Sequence, residues 1–192
     1  MEIIVMNENV KLSFKETRRR MRVDKERLLS NCKELGLPIK SVTFSTAYIC
    51  VFLYRLSRYM YVHERTFIAR FIWQFNMLLT GADISPICDL GEGLMVVHPV
   101  AVTIVGSAGD RLTVEGLGGM GGGMDMTDIG AGPGLPVLGD DVTMAHGSMV
   151  LGPVRLGNQV HIGAGNTVVK DVPSQSEVLV HKIRVRSSSN DG

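Results

Sequence analysis

The sequence predicts a mainly β protein, in which a small N-terminal helical domain precedes a parallel β-helix built from hexapeptide repeats. One observation is a regular run of aliphatic residues or Met at every sixth position: Leu138, Met144, Val150, Leu156, Ile162 and Val168. A second observation is that the same spacing extends back through Ile84, Leu90, Val96 and Val102. A period of six fits neither an α-helix at 3.6 nor a half-buried strand at 2.0. It is the period of stacked hexapeptide coils.

Each hexapeptide is expected to supply one short strand and one corner, so that three of them close a triangular coil of about 18 residues. The sixth-position side chain fills the interior, and a small residue often follows it, as Gly139, Ala145, Gly157 and Gly163 do. Stacked coils satisfy each other's backbone hydrogen bonds. We therefore predict a β-helix domain over residues 80–173 and a C-terminal tail over residues 174–192.

A helical domain is predicted over residues 1–79. Residues 12–36 form a charge-rich helical segment, and residues 42–60 form a more apolar one whose expected place is a helical core rather than a membrane surface. Residues 64–79 carry an apolar stripe at helical spacing: Ile68, Phe71, Ile72, Phe75 and Leu79. Trp73, the single tryptophan, lies off that stripe.

Composition excludes several classes of function. A net charge of +1 gives no reason to expect nucleic acid as a partner. Cys32, Cys50 and Cys88 lack the spacing of metal ligands, which predicts a reduced, cytoplasmic protein without a metal site. There is no uninterrupted run of 18 apolar residues, so no spanning helix is expected. The first residues also lack the basic-then-apolar order of a signal peptide.

A glycine-rich segment, residues 116–136, interrupts the repeats. Nine glycines fall within residues 116–134, which is too many for the interior of a strand or helix. We predict a loop that leaves the β-helix and rejoins it at Leu138. Neither a following Gly-Lys-Ser/Thr nor a strand-turn-helix frame is present, so this segment is not a phosphate-binding loop. Long loops on a regular scaffold typically cover a substrate.

Several of these segments together resemble the serine O-acetyltransferases, over about residues 50–173. The resemblance is carried by Thr80–Pro86 (TGADISP), Leu94–His98 (LMVVH), the glycine-rich loop, Ile162–Gly165 (IGAG) and Val172-Pro173. It implies that the β-helix is left-handed, that acetyl-CoA is the acyl donor, and that subunits assemble as a homotrimer or a dimer of trimers. The active sites would then lie between neighbouring subunits.

The resemblance also implies that His98 is the catalytic base and that Asp83 orients it. An alcohol is too weak a nucleophile to attack a thioester unaided, and an imidazole can take its proton as the attack begins. A carboxylate on the other ring nitrogen fixes the tautomer and stabilises the imidazolium. A non-catalytic β-helix scaffold is the alternative, and the presence of both His98 and Asp83 argues against it.

The acceptor site departs from the pattern of the family. Serine acetyltransferases carry Arg-His-Pro where the loop rejoins the β-helix, and there the Arg holds the carboxylate of serine. This chain has Gly134-Leu135-Pro136, with no Lys or Arg between Arg111 and Arg155. We therefore expect a sugar, an amine or a natural-product acceptor rather than free serine, unless a neighbouring subunit supplies Arg111. The residues predicted to contact the acceptor are Asp125, Asp128 and Leu135.

The residues expected to contact the coenzyme follow from the corners of the coils and from the resemblance. They are Ala145, His146, Gly163, Ala164, Lys170 and Arg184. Arg184 stands where the family has a basic residue near the CoA phosphates. His146 shares the corner phase of His98, two residues after a sixth-position residue. It would line the CoA channel or take over a proton transfer, the alternative being an ordinary corner side chain.

Overall fold

The computed structural model of the protein describes residues 12–36, 39–123 and 127–179, and for residues 39–41 it describes the backbone alone. The helices of the described part are α1 (Phe14–Glu34), a 3₁₀ helix (Ile39–Phe44), α2 (Thr46–Val62) and α3 (Thr66–Thr80). Ser13 and Ser45 cap α1 and α2, because their hydroxyls accept backbone N–H groups of the first turn. Gly81 ends α3 in the left-handed conformation, with φ of 77°.

Three parallel sheets follow, and each strand pairs with the equivalent strand of the next coil. Sheet A contains β1 (Asp83–Ile84), β4 (Thr103–Ile104), β7 (Gly119–Gly121), β10 (Met149–Leu151) and β13 (Thr167–Val168). Sheet B contains β2 (Asp89–Leu90), β5 (Ser107–Ala108), β8 (Val137–Leu138) and β11 (Arg155–Leu156). Sheet C contains β3 (Met95–Val97), β6 (Thr113–Glu115), β9 (Thr143–Met144), β12 (His161–Ile162) and β14 (Glu177–Val178). The prediction of a parallel β-solenoid behind a set of helices is confirmed, with about five turns.

The interior of the solenoid is filled by the sixth-position residues. All six members of the run that begins at Leu138 and ends at Val168 are buried, and so are Ile84, Leu90 and Val96 of the first coil. A second buried column lies two residues before most of these, and Val142, Val154 and Val160 belong to it. The coils therefore share one continuous hydrophobic core.

The register is irregular at one place that the sequence did not reveal. Ile84 pairs with Ile104, twenty positions later, whereas Leu90 pairs with Ala108 at the usual eighteen. The corner that contains His98 is thus two residues longer, and the corner after Ile104 is two residues shorter. Val102 is buried as predicted, but it lies before β4 and not at its inward strand position. A count in sixes does not reveal the irregularity, because the two extra residues of one corner are offset by the two missing residues of the next.

Two predicted boundaries are corrected by the strands. The glycine-rich loop was predicted from residue 116, yet β7 pairs with both β4 and β10, and Met120 fills the interior. Glycine is required in β7, since a Cβ on Gly119 would lie 2.1 Å from the Thr103 carbonyl oxygen. The excursion accordingly spans about residues 122–136. At the other end, β14 lies inside the predicted tail and pairs with β12.

The helices are anchored to the first coil through buried polar contacts. The Arg55 guanidinium forms an ion pair with Asp24, with Nε 2.8 Å from Oδ2, and both side chains are almost fully buried. Arg55 Nη1 also donates to the Leu90 carbonyl oxygen at 2.6 Å. Asp24 Oδ1 accepts the Leu94 backbone N–H at 2.8 Å. A buried charge pair of this kind needs these additional hydrogen bonds, because desolvation otherwise outweighs the attraction.

The corner between sheets B and C, here the ladder corner, repeats one hydrogen bond from coil to coil. Its acceptors are the side chains of Asp110, Asp140, Asn158 and Ser174. Each accepts a backbone N–H from the coil before it, at 2.8 to 3.0 Å.

Within the described ranges, no helix has both the length and the apolar character needed to cross a membrane.

Candidate active site

The corner between sheets C and A, here the His98 corner, stacks one residue per coil at equivalent positions. These residues are His98, Gly116, His146 and Ala164. The backbone is tied from coil to coil, since Gly147 N–H donates to the Gly116 carbonyl oxygen and Gly165 N–H to that of His146, each at 3.0 Å. His98 and His146 are both exposed. A narrow surface with two imidazoles therefore runs along this edge.

His98 has an unusual backbone conformation, with φ of 56°. The other left-handed residues of the described solenoid that are not glycine lie three residues before an inward strand residue: Ala101, Arg111, Leu117, Asp141, Gln159 and Gln175. His98 lies outside that pattern, in the corner that is two residues longer. Non-glycine residues adopt this conformation at a cost, and such strain concentrates at functional sites.

Asp83 is held by a residue that sequence reasoning missed. Trp73 Nε1 donates a hydrogen bond to Asp83 Oδ1 at 2.8 Å, and both side chains are half-buried. Trp73 lies at the middle of α3, and the left-handed Gly81 turns the chain directly into β1. The signal available in the sequence was the position of Trp73, off the apolar stripe and ten residues before Asp83.

The fold brings the segments of His98 and Asp83 side by side. Ala101 N–H donates to the Gly81 carbonyl oxygen at 3.0 Å, and Asp83 N–H donates to that of Val102 at 2.8 Å. In the part of the chain that the structure describes, however, no hydrogen bond or ion pair joins the two side chains. Asp83 instead uses Oδ1 to accept from Trp73.

His146 reaches back over Gly116 toward His98. A Cβ on Gly116 would lie 3.2 Å from the His98 Cβ and 3.6 Å from the His146 Cε1, so both side chains border the same point. It would also lie 2.7 Å from the His98 carbonyl oxygen, which explains why residue 116 is glycine. Glu115 stands beside this group, and its Oε2 accepts the His146 backbone N–H at 3.0 Å.

Of the remaining residues predicted to contact the coenzyme, three lie on or next to the His98 corner. Ala145 and Gly163 follow the inward residues of β9 and β12, and Ala164 stacks beyond His146. Lys170 is exposed and lies after β13, at the opposite edge of sheet A. Arg184 lies outside the described residues.

Two of the predicted acceptor residues, Asp128 and Leu135, lie at that opposite edge, between sheets A and B, here the loop corner. Leu135 is half-buried and lies against Gly122, where the two ends of the loop meet. Asp128 Oδ1 accepts the backbone N–H groups of Gly130 and Gly132, at 2.8 and 2.7 Å. These hydrogen bonds lower the pKa of the Asp128 carboxyl group. They also fix the backbone conformation of residues 128–132. Asp125 lies outside the described residues.

Arg111, the basic residue considered for an acceptor carboxylate, already has a partner. Its Nε and Nη2 donate to the two carboxylate oxygens of Asp141 at 2.6 and 2.7 Å, at the ladder corner.

Across the described residues, no group of three or more His, Cys, Asp or Glu side chains is arranged to hold a metal ion.

Comparison with known proteins identifies serine acetyltransferases among the relatives of this chain. No protein-family model matches the chain. A serine acetyltransferase of Synechococcus elongatus is 33% identical over 128 residues, which is 66% of this chain and 51% of that protein. The chain thus spans about half the length of this curated relative.

Solved structures of serine acetyltransferases share the fold. The Neisseria gonorrhoeae enzyme in complex with serine has a TM-score of 0.76 at 22% identity, over 87% of this chain and 68% of that one. A serine acetyltransferase in complex with CoA has a TM-score of 0.74 at 17% identity, over 85% and 67%. The resemblance predicted from the sequence is confirmed, and the chain is a serine O-acetyltransferase-like protein of the hexapeptide-repeat acyltransferase type.

Proposed function

We propose that the protein is an acetyl-CoA-dependent O-acetyltransferase in which His98 is the general base and Asp83 orients it. The observation that carries this proposal is the strained backbone of His98 in a lengthened corner that runs beside Asp83. Trp73 leaves one carboxylate oxygen of Asp83 for the imidazole, since it binds the other. The resemblance to serine acetyltransferases supports the same assignment.

In the proposed reaction, His98 removes the proton of the acceptor hydroxyl as its oxygen attacks the thioester carbonyl carbon. The C–O bond forms, the C–S bond breaks, and CoA leaves as the thiol once it has gained a proton. Asp83 stabilises the imidazolium that forms on His98. A positioned base of this kind contributes roughly 10²- to 10⁴-fold in rate.

The donor is proposed to lie along the His98 corner. Ala145, His146, Gly163 and Ala164 form a track of mostly small residues beside the base, and a solved serine acetyltransferase with the same fold is in complex with CoA. Lys170 lies at another corner, so its assistance to the CoA phosphates would come from a neighbouring copy. The assignment of Arg184 to these phosphates stays a proposal from the resemblance.

A homotrimer, or a dimer of trimers, is proposed for a geometric reason. The loop and His98 lie at opposite edges of sheet A, so the loop of one copy is placed to cover the His98 corner of another. The described part of α3 also exposes a set of large apolar side chains: Phe67, Phe71, Phe75, Leu78 and Leu79.

We further propose a reducing, cytoplasmic setting, in keeping with three free cysteines, of which Cys50 and Cys88 are buried with pKa values raised to about 12.

The acceptor is proposed to be larger than serine and neutral or cationic: a sugar hydroxyl, an amine or a natural-product intermediate. Binding a free carboxylate without a positive partner is costly. The loop returns through Gly134 and Leu135, and Arg111 is bound to Asp141. The described side of the loop therefore supplies no partner for a carboxylate, whereas the solved Neisseria enzyme is in complex with serine.

The test is release of CoA thiol from acetyl-CoA, with L-serine or serinol as acceptor. Serinol keeps the amine and the hydroxyl of serine and replaces its carboxylate with a hydroxymethyl group. We expect thiol release with serinol to exceed that with L-serine, and to be lost in His98→Ala. A specificity constant for L-serine of about 10⁴ M⁻¹s⁻¹ or more would overturn the acceptor proposal. Unchanged turnover in His98→Ala would overturn the assignment of the base.

A further inference from the structure

We propose that His146 is a second catalytic group, which donates a proton to the CoA sulfur as the thioester bond breaks. This inference rests on the proposed function, because it needs His98 to act on the acceptor at the same corner. It goes beyond a place for His146 in the coenzyme channel. It assigns to His146 a step on the leaving group, at the side of the thioester away from the base.

The geometry at Gly116 carries the inference. His98 and His146 belong to the first and third coils, so their backbones are about 10 Å apart at the usual strand spacing. Their side chains nevertheless converge, since His98 Cβ and His146 Cε1 lie 3.2 and 3.6 Å from the same point above Gly116. The absence of a side chain at residue 116 is what leaves this space between the His98 Cβ and the His146 ring.

The surroundings of His146 fix its backbone and leave its ring accessible. Glu115 carries its carboxylate to the His146 backbone, with Oε2 3.0 Å from the nitrogen. This hydrogen bond ties the backbone of His146 to the coil before it. Ala145 and Gly147 on either side of His146 leave its exposed ring free of bulky neighbours in the chain. The same column continues with Ala164, which has no side chain able to take this role.

The acceptor O–H bond breaks and its proton passes to His98, while the acceptor oxygen bonds to the carbonyl carbon. The C–S bond breaks, the electron pair stays on sulfur, and the sulfur takes a proton from the His146 imidazolium. The products are the acetyl ester and CoA thiol. Exchange with water then returns His98 and His146 to their starting protonation states.

The test compares two donors whose thiols differ in acidity. Acetyl-CoA releases an alkyl thiol, whose thiolate is basic and gains from protonation. S-acetyl-4-nitrothiophenol releases a far more acidic aryl thiol, which departs without help. Turnover of each donor is measured for the wild type, His146→Ala and His146→Gln, with an equimolar mixture of L-serine and serinol as acceptors. His161→Ala is the control, since His161 is an exposed histidine on β12 of the same solenoid.

We expect His146→Ala to lower kcat with acetyl-CoA by about 10²-fold, the lower end for a positioned acid. With the aryl thioester we expect a loss below about threefold. His146→Gln should behave like His146→Ala, because an amide donates a hydrogen bond but no proton. His161→Ala should affect neither donor.

Two results would overturn the inference. Equal losses with both donors would mean that His146 supports the fold or the track, and a raised KM for acetyl-CoA at unchanged kcat would mean that it only binds the coenzyme. Neither result touches the proposed function, which fails separately if His98→Ala retains turnover of acetyl-CoA.

Discussion

The ladder corner and the His98 corner belong to the same coils, yet they are built differently. At the ladder corner, one short polar side chain per coil accepts a backbone N–H of the coil before it, from Asp110 to Ser174. At the His98 corner no such series exists among the described residues. Its stacked positions hold two histidines, a glycine and an alanine, and its first turn is two residues longer.

The difference between the two corners shows that one repeating chain must both stabilise its coils and place a catalytic group. Regular hydrogen bonds between neighbouring coils stabilise a solenoid, because each coil contacts only its neighbours. A catalytic group needs a departure from that regularity, which places a side chain where the repeat would not. Changes at the ladder corner should therefore alter stability, and changes at the His98 corner should alter activity.

The largest effect is expected at His98. His98→Ala should lower turnover of acetyl-CoA by about 10²- to 10⁴-fold, since it removes the proposed base. Its melting temperature should stay close to that of the wild type, because the imidazole is exposed and makes no hydrogen bond within the described residues. Thiol release and thermal melting measure the two effects. If His161→Ala loses as much activity as His98→Ala, the claim that activity depends on the His98 corner is wrong.

A smaller loss of activity is expected from Trp73→Phe. This change keeps the aromatic packing and removes the 2.8 Å hydrogen bond to Asp83. A hydrogen bond to a charged group contributes about 1.5 kcal/mol or more, which corresponds to about tenfold in rate. The expected result is a lower kcat with an unchanged KM for acetyl-CoA, measured by steady-state kinetics. An unchanged kcat would show that Trp73 does not position Asp83.

At the ladder corner, Asp140→Ala should act on stability alone. It removes the acceptor of the Asp110 N–H, which is 2.8 Å from Asp140 Oδ1, at a cost of about 1 kcal/mol in the free energy of unfolding. Asp140→Asn is the matched control, because Asn158 already accepts the same hydrogen bond one coil later. Urea unfolding would measure the difference. Loss of turnover in a folded Asp140→Ala protein would contradict the separation of roles.

The smallest effect concerns the exposed ion pair beside the ladder. The hydrogen bonds of Arg111 lower the pKa of Asp141 in the folded protein. The stabilisation is therefore present above the ordinary pKa of an aspartate and is lost as the pH falls through the lowered value. Because both side chains are partly exposed, it should be below about 1 kcal/mol. Asp141→Asn should make the acid end of the stability profile less steep, and an equally steep profile would contradict this.

The sequence was sufficient where the repeat is regular. The positions from Leu138 to Val168 were predicted as core and are buried, because one interior side chain per six residues leaves a direct periodic signal. The same counting failed beside His98, where an extra pair of residues is offset by a shorter corner after Ile104. It also failed at β7, since the glycines that suggested a loop are needed where Gly119 packs against the Thr103 backbone.

The site was predicted in part, for a different physical reason. His98 and His146 lie at one corner of the solenoid, as their equal corner phase suggested, whereas only the resemblance had placed Asp83 with His98. The contact of Trp73 with Asp83 depends on how α3 packs against β1, which no periodicity in the chain encodes. Asp128, Leu135 and Lys170 lie at another corner, because each follows a strand of sheet A on the way to sheet B.

The helices that cover the first coil also limit how the protein can polymerise. A parallel coil without a neighbour presents unpaired carbonyl and N–H groups on which a second solenoid could stack end to end. Here Arg27, Arg55 and Asp24 occupy such groups at Leu90, Gly91, Gly93 and Leu94. The helices thus act as the terminal cap that repeat proteins need for solubility. Filament growth from this end would first require their release, so each copy is open to association through its sides.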